Sequence, residues 1–288
     1  MKQECPQCGG MNLYYTTHND FSYCFNCSYT QRGQEYHERT VHKSEHIKEI
    51  RQFYTEQAAK YHSNLRDSDR LWLHDRGFDD TDIQALQIGY CADEVIDTPI
   101  AYESGLAYKT QRLKKAVLGN RIVFPYLSVS GAVIDIRGRS LDDTEEKKYK
   151  SPIGSTLFRG ANLPYNYAVT EQAKKVIITE GEIKAGIATK YGFPAIGLPG
   201  MTNWRNGMCI QEDVEYIIML DNQRRNRRLL LQAVEKLAAH FDNPRIATLP
   251  LFSEDKADID SFILRYGAKE FRICLDSALP IEEWRYYA

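Results

Sequence analysis

The chain lacks any long hydrophobic run: nowhere in its 288 residues do 18 or more apolar residues follow one another, the length a helix needs to span a bilayer. Its opening MKQECPQC has no apolar core of the kind that directs secretion, so the expectation is a cytoplasmic protein with no membrane partner. Charge of one sign is lacking too. Against 37 Lys and Arg stand 39 Asp and Glu, a net charge of −2, which excludes a generally basic nucleic-acid coat and leaves phosphate binding to local segregation of charge. No G-x-x-x-x-G-K-[ST] loop occurs, which excludes a fused helicase of the P-loop kind. Beyond residue 27, cysteine is sparse: Cys91, Cys209 and Cys274 are scattered and read as reduced thiols of the core, not as a disulfide framework.

What is present begins with the other cysteines. Cys5 and Cys8 form one C-x-x-C knuckle, Cys24 and Cys27 a second, at the separation that tetrahedral thiolate ligation by two turns requires. The four are expected to hold a structural Zn2+, with Leu13-Tyr14-Tyr15 and Phe21-Ser22-Tyr23 as hairpin strands of a zinc ribbon over 1–32. So small a module takes much of its stability from the metal. Its aromatic residues Tyr14, Tyr15, Phe25 and Tyr29 suit either a small core or stacking on single-stranded bases. Residues 33–46, polar and holding His37, His42 and His46, read as a linker.

From 47 to 88 the pattern is helical, with N-cap runs at Asp67-Ser68-Asp69 and Asp79-Asp80-Thr81 and stops at Gly77 and Gly89. The texture then turns to strands. NRIVFPYLSVSGAVIDIRGRSL reads as a hairpin turning at Ser128 to Gly131, and from Lys109 to Lys150 ten Lys or Arg oppose five Asp or Glu. That surplus, beside Tyr149, Phe158 and Tyr165, fits a groove tracking a nucleic-acid backbone, or a solvated hairpin face.

The stretch KVIITEGEIKAGIATKYGFPAIGLPGMTNW carries the most chemistry. VIIT reads as a buried strand ending on Glu180-Gly181; a second strand, Tyr216 to Leu220, ends on Asp221; Asp258 and Asp260 follow a third around Ala247-Thr248-Leu249. Any one acid alone reads as a helix cap or a solvated loop residue. Together, at the ends of successive strands where open α/β sheets bind ligands, they suit a hard cation such as Mg2+ that bridges to phosphates.

Strand-end Glu-Gly, a second acid after the next strand and a third acidic pair resemble the Toprim fold. The order of Tyr54 with Leu65, Arg76-Gly77, Ile88-Gly89-Tyr90, Arg121-Ile122-Val123-Phe124-Pro125, Gly138-Arg139, Lys148-Tyr149-Lys150-Ser151-Pro152, Leu157-Phe158 and Leu163-Pro164-Tyr165 resembles the RNA-polymerase domain of DnaG-type DNA primases. With the four-cysteine ribbon, closer to that of phage replicative primases, the resemblance covers nearly the whole chain. It implies an α/β fold: the zinc ribbon, then a primase catalytic core of a mixed αβ subdomain over 47–168 and a Toprim α/β subdomain over 169–275, with a C-terminal tail over 276–288.

By that resemblance, Glu180, Asp221, Asp258 and Asp260 collect catalytic Mg2+ or Mn2+, with Glu180 nearest the chemistry, and Arg139 and Lys148 match the basic ridge for template and nucleotide. Arg121, Arg137, Lys150 and Lys184 join them as expected nucleic-acid or nucleotide ligands. The implied activity is synthesis of short RNA primers on single-stranded DNA from ribonucleoside triphosphates, in a phage or mobile element, with any helicase a separate chain. Two positions depart from the family. Gln223 stands where Asp-x-Asp has its second carboxylate, and Lys184 where an Asp commonly follows the Glu, a lysine that could sit near a triphosphate, pair with Asp221 or lie on the surface of the following helix. A primase-derived DNA-binding or accessory protein with weakened catalysis is therefore a second reading, and a Toprim nuclease a third.

Overall fold

The computed structural model describes residues 48–288 apart from 110–113, 143, 154–162, 201–210, 212, 253 and 288; of residues 1–47 it describes the backbone of four short strands and one helix. The chain divides into two compact units, Met1–Ile50 and Arg51–Ala288.

In the first unit, β1 (Lys2–Gln3), β2 (Leu13–Thr16), β3 (Phe21–Cys24) and β4 (Thr30–Arg32) form one sheet in chain order. Each neighbouring pair is antiparallel, with Leu13 opposite Cys24 and Tyr15 opposite Ser22. The side chains of Cys5, Cys8, Cys24 and Cys27 lie outside the described residues. Helix α1 (Tyr36–Ser63) starts at Tyr36 and not at 47, so most of the stretch read as a linker is helical. From Gln34 to Ser63 the chain holds no Gly or Pro and is rich in Glu, Lys, Arg, Gln and Ala, residues that favour helix whatever their lack of an apolar face.

The second unit begins within α1 and continues with α2 (Asp67–Asp75) and α3 (Asp80–Ala85), the latter capped by Asp79, whose side chain accepts from the Thr81 and Asp82 amides. After β5 (Gly89–Cys91), α4 (Pro99–Glu103) and a small hairpin of β6 (Ala107–Lys109) and β7 (Lys114–Ala116) comes the expected long hairpin, β8 (Arg121–Leu127) and β9 (Val133–Ser140). With β10 (Tyr149–Lys150) they form an antiparallel sheet in the order β10-β9-β8-β5.

The second sheet is doubly wound. β11 (Lys175–Glu180) is followed by α5 (Glu182–Lys190) and β12 (Ala195–Leu198), after which the chain returns to the other side of β11 as β13 (Glu215–Ile218). A two-residue strand β14 (Asn222–Gln223), a turn and α6 (Arg227–Ala238) lead to β15 (Arg245–Ile246); β16 (Lys256–Ala257), α7 (Ile259–Asp276), β17 (Leu279–Pro280) and α8 (Ile281–Tyr287) complete it. The order is β12-β11-β13-β15-β17, parallel but for the last strand. Strands that alternate between two buried faces read as unbroken apolar runs. Thus Ile177 and Ile217 face the core shared with the antiparallel sheet, which also holds Phe124, Tyr126, Ile187 and Phe262. Val176, Ile178 and Ile218 face α6 and Trp284 of α8 on the other side.

The segment 276–288 is therefore no tail. Leu279 and Pro280 form the edge strand, and Trp284 is buried with its indole N–H donating to Thr248 Oγ1 at 2.8 Å. The third strand also ends earlier than read, at Ile246; beyond it Ala247 and Leu249 are buried, the Ala247 amide donating to the Ile218 carbonyl at 3.0 Å and the Leu249 carbonyl accepting from Asn222 Nδ2 at 2.9 Å.

Candidate active site

Winding reverses at β11: α5 carries the chain to β12 on one side, and β13 lies on the other. Ligands of open α/β sheets bind in the crevice at the carboxyl ends of such a pair of strands. Glu180 ends β11, and Asp221 lies just past β13, so both face that crevice; the Asp221 amide donates to Glu180 Oε1 at 3.4 Å. Gly181 permits the turn there. Its φ of +76° is one that side chains rarely adopt, and the next strand crowds it, since a Cβ on Gly197 would lie 2.3 Å from the Gly181 carbonyl.

Asp258 and Asp260 arrive by a different device from the strand end that the sequence suggested. β16 pairs antiparallel with β14, setting Asn222 opposite Ala257 and Gln223 opposite Lys256, which draws the start of α7 toward Asp221. Asp258 stands at the N-cap position of that helix and Asp260 lies in its first turn. Burial, and then the charge of Asp221, raise the Glu180 pKa. At Asp258 burial alone would act in the same direction, but the Ser261 hydrogen bond and Lys256 outweigh it and hold the carboxyl at about 2. Asp260 is pushed up to about 6, by burial and by Asp258.

Two ammonium groups stand among these acids. Lys184 Nζ lies 3.0 Å from Asp221 Oδ1, while Lys256 Nζ lies 2.9 Å from both Asp221 Oδ2 and Asp258 Oδ2. Lys184 is thus paired with Asp221 and not a free surface lysine: burial opposes its charge, and Asp221 together with Asp260 outweighs burial to raise its pKa. Lys256 escaped the sequence reading, although it stands two residues before Asp258. Gln223 turns away, its Oε1 accepting from Asn226 Nδ2 at 2.9 Å.

The basic residues of the antiparallel half divide into two groups. Lys148 is exposed, and Lys150 reaches Glu145 at 3.2 Å. Arg121, expected to bind nucleotide, is instead buried and paired with Glu145 and the Gly119 carbonyl. Arg139 is also buried, donating to the Ser140 carbonyl and lying 4.6 Å over the Trp72 ring. Arg137 lies 4.5 Å over the Tyr149 ring and bonds Glu182 at 3.0 Å. Glu182, fully buried, also accepts from the Tyr126 hydroxyl at 2.5 Å. The one sequence signal of this carboxylate is a second acid in Glu180-Gly181-Glu182. It ties β8 and β9 to the amino end of α5 and so fixes the basic face relative to Glu180.

No group of three or more His, Cys, Asp or Glu among the described residues is arranged to hold a metal as a closed set. Asp258 Oδ1 and Asp260 Oδ1 are nevertheless buried without a hydrogen-bond partner. Buried polar atoms are seldom left so, and Mg2+ commonly takes one or two carboxylates and completes its shell with water and substrate phosphate. The donor set fits such an ion better than it fits zinc.

An acid-lined switch point on a mostly parallel sheet, joined through one core to a basic antiparallel sheet, makes a mixed α/β core with a candidate site at its strand ends. Comparison with known proteins narrows this. Residues 53–171 match the family described as DNA primase catalytic core, N-terminal domain, and residues 165–245 match a domain of unknown function, DUF3854. The DNA primase of Halalkalibacterium halodurans is 25% identical over 226 residues, which are 70% of this chain and 36% of that protein. This chain therefore spans about a third of the length of that relative. The RNA polymerase domain of Mycobacterium tuberculosis primase DnaG superposes with a TM-score of 0.68 at 17% identity, covering 82% of this chain and 85% of that one. A DnaG primase catalytic domain bound to single-stranded DNA gives 0.66 at 18% identity, with 84% of each chain covered. Residues 53–171 thus match the N-terminal domain of a DNA primase catalytic core, and the described chain shares the fold of solved DnaG primase cores.

Proposed function

We propose that the protein is a DNA primase, synthesising short RNA primers on single-stranded DNA by metal-dependent nucleotidyl transfer. The observation that carries this reading is the convergence of Glu180, Asp221 and Asp258 at the switch point of a primase-type core, beside a basic sheet. A divalent ion, Mg2+ or Mn2+, held by one or two carboxylates of the set Glu180, Asp221, Asp258 and Asp260, would neutralise charge on the phosphoryl group being transferred.

The chain's own groups supply alignment. Glu180, its pKa raised by burial beside Asp221, would serve nearest the chemistry, as a metal ligand or as the base that accepts the proton of the attacking 3′-hydroxyl. Lys148 and Lys150 offer cations to the template or triphosphate, while Arg137 and Arg139 act through Tyr149 and Trp72 to keep that face in position and do not themselves grip phosphate. Lys184 and Lys256 hold the acids together by balancing part of their charge. Cys5, Cys8, Cys24 and Cys27 would bind a structural Zn2+ in the first unit, a reading that rests on their spacing, and a replicative helicase would be a separate partner. Among the described residues no helix is long and apolar enough to cross a membrane.

The test is incubation of the full chain with single-stranded DNA, ribonucleotides and Mg2+ or Mn2+. Labelled oligoribonucleotides are expected, and their absence while DNA binding persists would refute the reading. One observation favours the second reading, a primase-like protein with weakened catalysis: both carboxylate oxygens of Asp221 are already engaged by lysine ammonium groups. In that case nucleic-acid binding would survive Glu180→Ala with every other property intact. Nothing comparable favours a nuclease.

A further inference from the structure

The acid site has a neighbour of opposite sign. Directly after Asp221 the chain reads NQRRNRR, and Arg224, Arg225, Arg227 and Arg228 are all exposed at the turn that opens α6. Among the described residues none of the four has a carboxylate partner. Nearby cations do: Arg265 pairs with Glu254 and Arg285 with Glu235. The first turn of α6 contains no acidic residue, so the positive end of the helix dipole adds to the arginines and is not offset.

Exposed aromatic rings flank the cluster. The Arg224 amide donates to the Asp255 carbonyl at 3.0 Å, and its Nη2 contacts the Phe252 carbonyl at 3.5 Å. Phe252 is 61% exposed and Tyr266 36%, their ring centroids 5.2 Å apart. On the other side Arg227 Nη2 donates to the carbonyl of the exposed Tyr287 at 2.8 Å. The ladder that carries Lys256 to Asp221 thus continues directly into Arg224.

We propose that this arginine cluster, with Phe252 and Tyr266, is a second binding surface for single-stranded nucleic acid, separate from the basic antiparallel sheet and leading a strand past the acid site. Guanidinium groups take phosphate oxygens, and flat exposed rings beside them take unstacked bases; that combination suits single strands. A membrane surface or an acidic peptide would use the charge but leave the rings without a function. The proposal rests on the primase reading only for the direction in which the strand is used.

Fluorescence anisotropy of the full chain with labelled oligo(dT), over a series of salt concentrations, tests it. Each phosphate contact on a single strand contributes about 0.7 to the slope of log affinity against log salt. Replacing all four arginines with Gln is expected to make that slope shallower by roughly 2–3, and the corresponding Lys replacement is expected to keep it. Phe252→Ala with Tyr266→Ala should weaken binding about five-fold or more at unchanged slope. Circular dichroism melts of each variant establish that it is folded. Unchanged affinity and slope in the folded Gln variant would overturn the proposal. So would displacement of the strand by a free nucleoside triphosphate to the level of the Gln variant, since the surface would then belong to the nucleotide. Loss of primer synthesis in the wild type with the slope difference intact would instead refute the primase reading and leave the surface standing.

Discussion

Arg137→Met is the substitution that best separates a residue that binds DNA from one that holds the fold. In the structure Arg137 is largely buried against Glu182, which has no exposure at all and accepts from Arg137 at 3.0 Å and from Tyr126 at 2.5 Å. Removing the guanidinium leaves a buried carboxylate with one hydroxyl donor, and breaking a buried pair from one side costs about 3–5 kcal/mol. For a unit of this size 1 kcal/mol moves the melting temperature by roughly 2–4 °C, so a fall of about 6–20 °C is expected by circular dichroism or calorimetry. Arg137→Met combined with Glu182→Leu removes both charges and should recover part of the loss, because an apolar pair of similar volume is often neutral or better, while the buried Tyr126 hydroxyl is left without its acceptor. Both proteins should bind single-stranded DNA with a salt slope close to that of wild type. A variant Arg137→Met that melts normally but loses DNA affinity and salt slope would refute the reasoning and return Arg137 to the nucleic-acid surface.

Lys256→Met should raise affinity for Mn2+ or Mg2+ by about ten-fold or more, measured by calorimetry, because a charge 2.9 Å from two carboxylates competes with the ion at an interaction of several kcal/mol for an effective dielectric of about 20; an unchanged affinity would place the ion elsewhere. Asp79→Asn tests the contact between α3 and α5: the Lys190 hydrogen bond, with the helix amides, depresses the Asp79 pKa to about 2. A depressed pKa gives stability that is complete above the ordinary carboxylate range and lost as pH falls through the folded value, so wild type should melt higher than Asp79→Asn at pH 7 and the gap should close between about pH 4 and 2. Metal analysis of the purified chain should give one zinc per molecule, lost in Cys5→Ser together with protection of the first unit from proteolysis.

How far the sequence disclosed this arrangement depended on the range of each interaction. The β8–β9 hairpin, β11 and the place of Glu180 were legible because alternation, β-branched runs and a Glu-Gly stop are local signals. Strand order was not, yet it alone makes β11 and β13 neighbours and so brings Asp221 to Glu180. The same limit applies to Lys256, whose role follows from pairing of β14 with β16 across more than thirty intervening residues. Arg121, Arg137 and Arg139 were read as phosphate ligands because charge counted along a chain does not reveal burial; their partners Glu145, Glu182 and Trp72 are distant or carry no pattern. At 33–46 and 276–288 the limit is the opposite one: a polar or aromatic composition does not exclude structure, since the absence of Gly and Pro from Gln34 to Ser63 permits a helix and Trp284 anchors a packed edge.

The central claim is that the acids beside Glu180 perform nucleotidyl transfer. Its most direct measurement is primer synthesis on single-stranded DNA by wild type and by Glu180→Ala, with DNA affinity recorded for both. The account predicts labelled oligoribonucleotides from the wild type, their loss by at least about a hundred-fold in the variant, an effect of the size seen when a group acting on the transition state is removed, and equal DNA binding. Equal product from the two proteins would contradict it.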